Sequence, residues 1–115
     1  DIFHINTTLY EGIPLVRTLH DEQDKFASVF HVEQAEGYEK TIIIDIHNKQ
    51  SKTTTYVKFG SQPLPSDFDY REQEGIIKIK PDDKSFHRAG SYYILTIPNP
   101  EYLDYVSETF YIFQI

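Results

Sequence analysis

Cysteine, methionine and tryptophan are all absent from the 115 residues. Without cysteine there is no disulfide, no thiolate nucleophile and no Cys-ligated zinc. A core of this size needs no such staple, so the redox compartment stays open. No apolar run approaches the ~20 residues that a membrane helix requires, and no segment has the charged, apolar and small-residue regions of a signal peptide. Runs of Lys or Arg are missing too. With 18 acids against 11 bases and a formal charge of -7, nothing follows a phosphate backbone, which argues against nucleic acid and anionic membrane as partners. No stretch of ten or more residues keeps an i, i+3, i+4 apolar stripe with a capping signal, and no internal repeat occurs.

What is present favours pleated sheet. Hydrophobic residues make up 39% of the chain, enough for one core, so residues 1–115 read as a single domain. Nine Tyr and eight Phe join Ile, Val and Leu as the material of that core, and large amphipathic rings suit strands better than helices. No initiator Met is present and Asp1 runs almost directly into Ile2-Phe3. The chain therefore reads as an excised or processed piece rather than a whole translation product.

Strand-like segments recur at short intervals between turn-forming clusters. Ile13 to Leu19 is followed by a charged turn, then by Phe26 to Val32 with Phe26, Phe30 and Val32 on one face. In Ile42 to His47, period two places Ile42, Ile44 and Ile46 on the core side and Ile43, Asp45 and His47 on the other. Thr53 to Phe59 is β-branched and aromatic and ends at Gly60. Residues Gly60 to Gly75 carry Pro63, Pro65, Phe68 and Tyr70 and are expected to cross the surface as a long irregular connection. Ile76 to Lys80, Ser91 to Ile97 and Phe110 to Ile115 supply further strands. The expected fold is all-β: an antiparallel β-sandwich of about eight strands with little helix.

Tyr56-Val57-Lys58-Phe59-Gly60-Ser61-Gln62-Pro63, then Pro65-Ser66-Asp67-Phe68-Asp69-Tyr70, then Gly90-Ser91-Tyr92-Tyr93-Ile94-Leu95 form an ordered set. This order resembles the bacterial pre-peptidase C-terminal domain and its eukaryotic relatives. In that family a leucine-tyrosine-valine strand leads through glycine and proline into a tyrosine-bearing loop, and a glycine-x-tyrosine-tyrosine strand follows. The likeness spans roughly residues 10 to 115 in layout, and its sharp matches cover about a quarter of the chain. It implies a jelly-roll-like sandwich serving secreted peptidases or large surface proteins as an accessory, substrate-adhesion or spacer module, without catalysis. Some members bind calcium or a macromolecular substrate. The sequence departs from the family at Lys52-Thr53-Thr54-Thr55, where many members carry aspartate-x-aspartate.

Candidate sites are few. Asp67 and Asp69, with Ser66 beside them, offer oxygens to calcium, but that cation takes six to eight, so turn capping is the stronger role for both. Asp21, Glu22 and Asp24 form a denser acidic group in a turn that lacks calcium-loop spacing. His4, His20, His31, His47 and His87 are scattered without zinc spacing, and most are expected to be outward-facing strand or turn residues. No nucleophile elbow or phosphate-binding glycine loop occurs, so the chain is not expected to be an enzyme. The expected cofactor set is empty apart from calcium as a candidate. Tyr56, Tyr70, Tyr92, Tyr102 and Tyr105 are the candidate partner-binding residues, since a tyrosine on a strand face offers large contact area and a hydroxyl. Core packing competes with that role, and because Tyr92 and Tyr93 must face opposite ways, one of them belongs to the core. Asn6-Thr7-Thr8 is an N-glycosylation acceptor triplet.

These features lead to an expected non-catalytic accessory, adhesion or spacer module of an extracellular or cell-surface multidomain protein. Its expected partners are neighbouring domains and an extracellular protein or glycan. The alternative is a self-assembling subunit of a surface filament or coat, joined through the apolar ends Ile2-Phe3 and Phe110-Tyr111-Ile112-Phe113.

Overall fold

The computed structural model describes residues 7–19, 25–47, 53–99 and 106–115. Within them the chain forms nine strands and no helix: β1 (Thr7–Leu9), β2 (Leu15–Leu19), β3 (Phe26–Glu33), β4 (Ile42–His47), β5 (Thr53–Phe59), β6 (Tyr70–Arg71), β7 (Ile76–Ile79), β8 (Ala89–Pro98) and β9 (Val106–Gln114). Five of them form one sheet in the order β1-β3-β8-β5-β6, here sheet A, and four form sheet B in the order β2-β9-β4-β7.

From β2 onward the pairing is nested. β2 pairs with β9, β3 with β8, β4 with β7 and β5 with β6, all antiparallel. A hairpin-like chain wrapped on itself in this way is a jelly roll. β1 stands outside the scheme and lies parallel to β3, pairing Thr7 with Ser28 and Leu9 with Phe30.

Period-two alternation sets the core. Ile42 and Ile44 are fully buried and Ile46 nearly so, in one core with Phe26, Phe30, Val57, Tyr92 and Ile94 of sheet A and with Phe110 and Ile112 of the neighbouring strand β9. The expectation for β4 holds, but the opposite faces are also partly closed. Leu95 lies on the outer face of sheet A, between Ala27 and Tyr56 in register, and is nevertheless fully buried. Ile43, between Lys78 and Phe113 on the outer face of sheet B, is buried as well. A central strand flanked by large side chains loses water on both faces.

β9 also carries two polar links between the sheets. Near its start the buried Glu108 accepts a 2.7 Å hydrogen bond from Thr53 of β5. At its end Gln114 accepts one from Gln34 Nε2 at 2.6 Å, while Gln34 Oε1 receives the Lys40 amide at 2.9 Å. Buried hydrogen bonds of this kind help to fix the relative placement of the two layers.

Two expectations need correction. Gly60 to Gly75 is not wholly irregular: β6 adds to the edge of sheet A, and Gln73 pairs with Ile76 across Glu74 and Gly75. Those two residues take φ of 54° and 84°, the conformation required by a two-residue hairpin turn. Phe110 to Phe113 is not an available end strand either. It lies inside β9, where β4 pairs with all four residues, β2 pairs with Phe110, and the Gly12 amide donates to the Ile112 carbonyl at 2.9 Å. Ile2 and Phe3 lie outside the described residues.

Candidate functional site

The expected tyrosines divide between three environments. Tyr92 is fully buried, so its place among the partner-binding candidates is corrected. Its ring fills the core, and its hydroxyl accepts the His87 amide at 2.7 Å and donates to the His87 carbonyl at 3.2 Å. Tyr93 faces outward, as alternation demands. Tyr56 lies on the same outer face of sheet A, diagonal to Tyr93, with its ring centroid 5.0 Å from that of Phe68. Tyr70 is half-buried at the sheet edge and donates a 3.1 Å hydrogen bond to Asp83 Oδ2. Tyr102 and Tyr105 lie outside the described residues, as do Asn6, His4, His20 and the Asp21, Glu22, Asp24 group.

Burial pushes the Tyr70 phenol well above its ordinary range, and the hydrogen bond to Asp83 adds to the effect. Burial likewise raises that of Tyr92, against the opposing influence of its bond with His87. Both rings are therefore neutral hydrogen-bonding groups at physiological pH, not nucleophiles or bases.

The carboxylates proposed for calcium have protein partners. Asp67 forms an ion pair with Lys58 at 2.6 Å. Asp69 Oδ2 accepts the Phe59 amide at 2.9 Å, while its own amide donates to the Val57 carbonyl. These bonds fold the Pro-rich connection back onto β5, which is the turn-capping role. No group of three metal-ligating side chains gathers among the described residues.

The described histidines are surface residues. His31 Nδ1 lies 2.7 Å from Ser91 Oγ, His47 contacts Asp45 at 3.2 Å, and His87 stacks on Phe59 with centroids 3.7 Å apart.

A feature not anticipated from the sequence is a groove of about 520 Å³ along the edge where β6 ends sheet A and β7 ends sheet B. Tyr70, Arg71, Ile76, Lys78, Lys80 and Asp83 line it. Among the described residues, no acid lies within ion-pair range of the Arg71, Lys78 or Lys80 side chains. The alternation of Ile77-Lys78-Ile79-Lys80 could have placed the two lysines on one face; Arg71 joins them only through the β6–β7 turn.

Of the residues behind the family resemblance, Tyr70 lines this groove; Phe59 packs edge-on against Tyr92 at 5.1 Å, and both Phe59 and Tyr70 border the core. In comparisons with known proteins, the chain matches no family model and no curated protein.

Proposed function

We propose that this chain is a non-catalytic binding module, of accessory, adhesion or spacer type, in an extracellular multidomain protein. The observation that carries the reading is the outer face of sheet A. There Tyr56, Tyr93 and Phe68 stand over the buried Leu95 on a face backed by the jelly-roll core. Rings held this firmly offer contact area at small entropic cost. The described acids and histidines considered for chemistry are meanwhile engaged in turns, ion pairs and stacking. The extracellular address rests on the family resemblance and the Asn6 triplet.

The test is retention of the labelled chain on surfaces coated with extracellular proteins and glycans. Tyr56→Ala with Tyr93→Ala should reduce retention about ten-fold without altering the fold. Retention unchanged by both substitutions, or turnover of a coated substrate, would remove the reading.

The self-assembly alternative keeps one observation. β2 is an edge strand, and Ile13 and Val16 at that edge are 60% and 59% exposed.

A further inference from the structure

The groove between β6 and β7 is a second concave site, separate from the aromatic face of sheet A. Beside the single carboxylate of Asp83 it holds three cations, none in an ion pair among the described residues, in a chain whose formal charge is -7. Arg71 presents a planar fork suited to a carboxylate or sulfate, and Lys78 and Lys80 add point charges beside it. Tyr70 and Ile76 give the walls an apolar part. Asp83 uses only Oδ2 in its bonds to Tyr70 and the Lys80 amide, so Oδ1 faces no protein donor among the described residues.

Backbone pairing with a peptide is largely blocked here. Gln73 exchanges hydrogen bonds with the main chain of Ile76, at 3.0 and 3.1 Å. At the other end, Asp83 receives the Lys80 amide through its side chain and donates its own amide to the Lys80 carbonyl. Alternation along an antiparallel edge then leaves the main chain of Lys78 alone open between two capped positions. Along β7, therefore, a ligand is held mainly by side chains.

We propose that this groove binds a short acidic saccharide, whose anionic group meets Arg71, Lys78 and Lys80 and whose hydroxyls donate to Asp83. The mixture of cations with a free carboxylate oxygen suits a ligand carrying both an anion and hydroxyl donors. A uniformly anionic chain would meet Asp83 and the net negative charge of the protein, which screening over about 8 Å does not remove at the contact itself. The volume lies within the range of small-ligand sites. The inference rests on reading the chain as a binding module.

The test titrates the whole chain by NMR with a hyaluronan tetrasaccharide, a chondroitin sulfate tetrasaccharide, neutral cellotetraose and a hexaglutamate peptide. Saturable shifts at the amides of Arg71, Lys78 and Lys80 are expected with one or both acidic saccharides. The first alone identifies carboxylate as the recognised group, and a gain with the second identifies sulfate. Arg71→Gln and Lys78→Gln should each weaken binding about ten-fold, with an unchanged thermal midpoint. Silence at these amides, binding undiminished in the double variant, equal binding of cellotetraose, or tighter binding of hexaglutamate would each overturn the proposal. Groove binding absent while Tyr56 and Tyr93 still mediate surface retention would sink this inference alone; loss of both would sink the module reading too.

Discussion

The Phe59 ring occupies the space where Gly90 would carry a side chain: a Cβ on Gly90 would lie 2.4 Å from Phe59 Cζ and 2.7 Å from Cε1. Gly90 also has φ of 132°, which side chains rarely adopt. The glycine that opens the Gly90-Ser91-Tyr92-Tyr93 motif thus admits Phe59, which stacks on His87 and meets Tyr92 edge-on. Gly90→Ala combines backbone strain with overpacking and should cost about 2–4 kcal/mol. For a domain of this size the thermal midpoint should fall by roughly 10 °C or more. Ser91→Ala, one residue on, should lose little. Equal midpoints for the two variants would show that Phe59 can move aside freely.

Alkaline stability should depend on two phenols. Tyr70 and Tyr92 have pKa values raised by burial above 10.0, their ordinary value and that of the unfolded chain. The unfolded state therefore loses protons first as pH rises. The stabilisation is fully present below about pH 10 and is lost as pH climbs from there through the folded-state values. The urea midpoint should hold from pH 8 to about 10 and then decline. Tyr70→Phe together with Tyr92→Phe should flatten that decline while lowering the midpoint at neutral pH, since the His87 amide loses its acceptor. A decline of the same slope in the double variant would assign it to other groups.

Much of this was legible in the sequence, and the losses have physical causes. Alternation identified β4 and β7, because one face of each must be buried, and β-branched and aromatic content identified β5 and β8. β1 and β6 escaped because strands of three and two residues carry no period. The half-closed outer faces escaped for a different reason: the burial of Leu95 and Ile43 depends on which strands lie alongside, a matter of topology. The groove was hidden by the same limit. Lys78 and Lys80 share one segment but Arg71 comes from β6, so neither a charge run nor the net charge marks the three together.

Calcium should leave the fold unmoved through Asp67 and Asp69. One is paired with Lys58 and the other caps the Phe59 amide, so neither carboxylate is poised for a cation. A ligand at ~100-fold over its Kd adds about 2.7 kcal/mol, so thermal unfolding with millimolar calcium and then with chelator is decisive. Equal midpoints are expected. Asp69→Ala should cost about 1–2 kcal/mol through its lost cap, and Lys58→Ala, which breaks a surface pair, under about 1 kcal/mol. A calcium-dependent rise that survives both Asp67→Asn and Asp69→Asn would direct attention to Asp21, Glu22 and Asp24.

Self-association turns on β2. The opposite edge of sheet B, β7, is short, carries Lys78, and is capped at Ile76 and Lys80, which are devices that discourage strand addition. β2 has five residues and the exposed Val16. At 3.3 Å per residue its edge is roughly 17 Å long. A strip of that length and ~10 Å width buries about 340 Å² over both partners, short of the ~1,000 Å² that a stable interface buries. Sizing at micromolar and near-millimolar concentration should therefore show a monomer at both. Should oligomers form at the higher concentration, Val16→Lys separates the causes. Their disappearance would place the contact at the β2 edge and favour the filament or coat reading over the spacer; their persistence would send the search to surfaces other than the β2 edge.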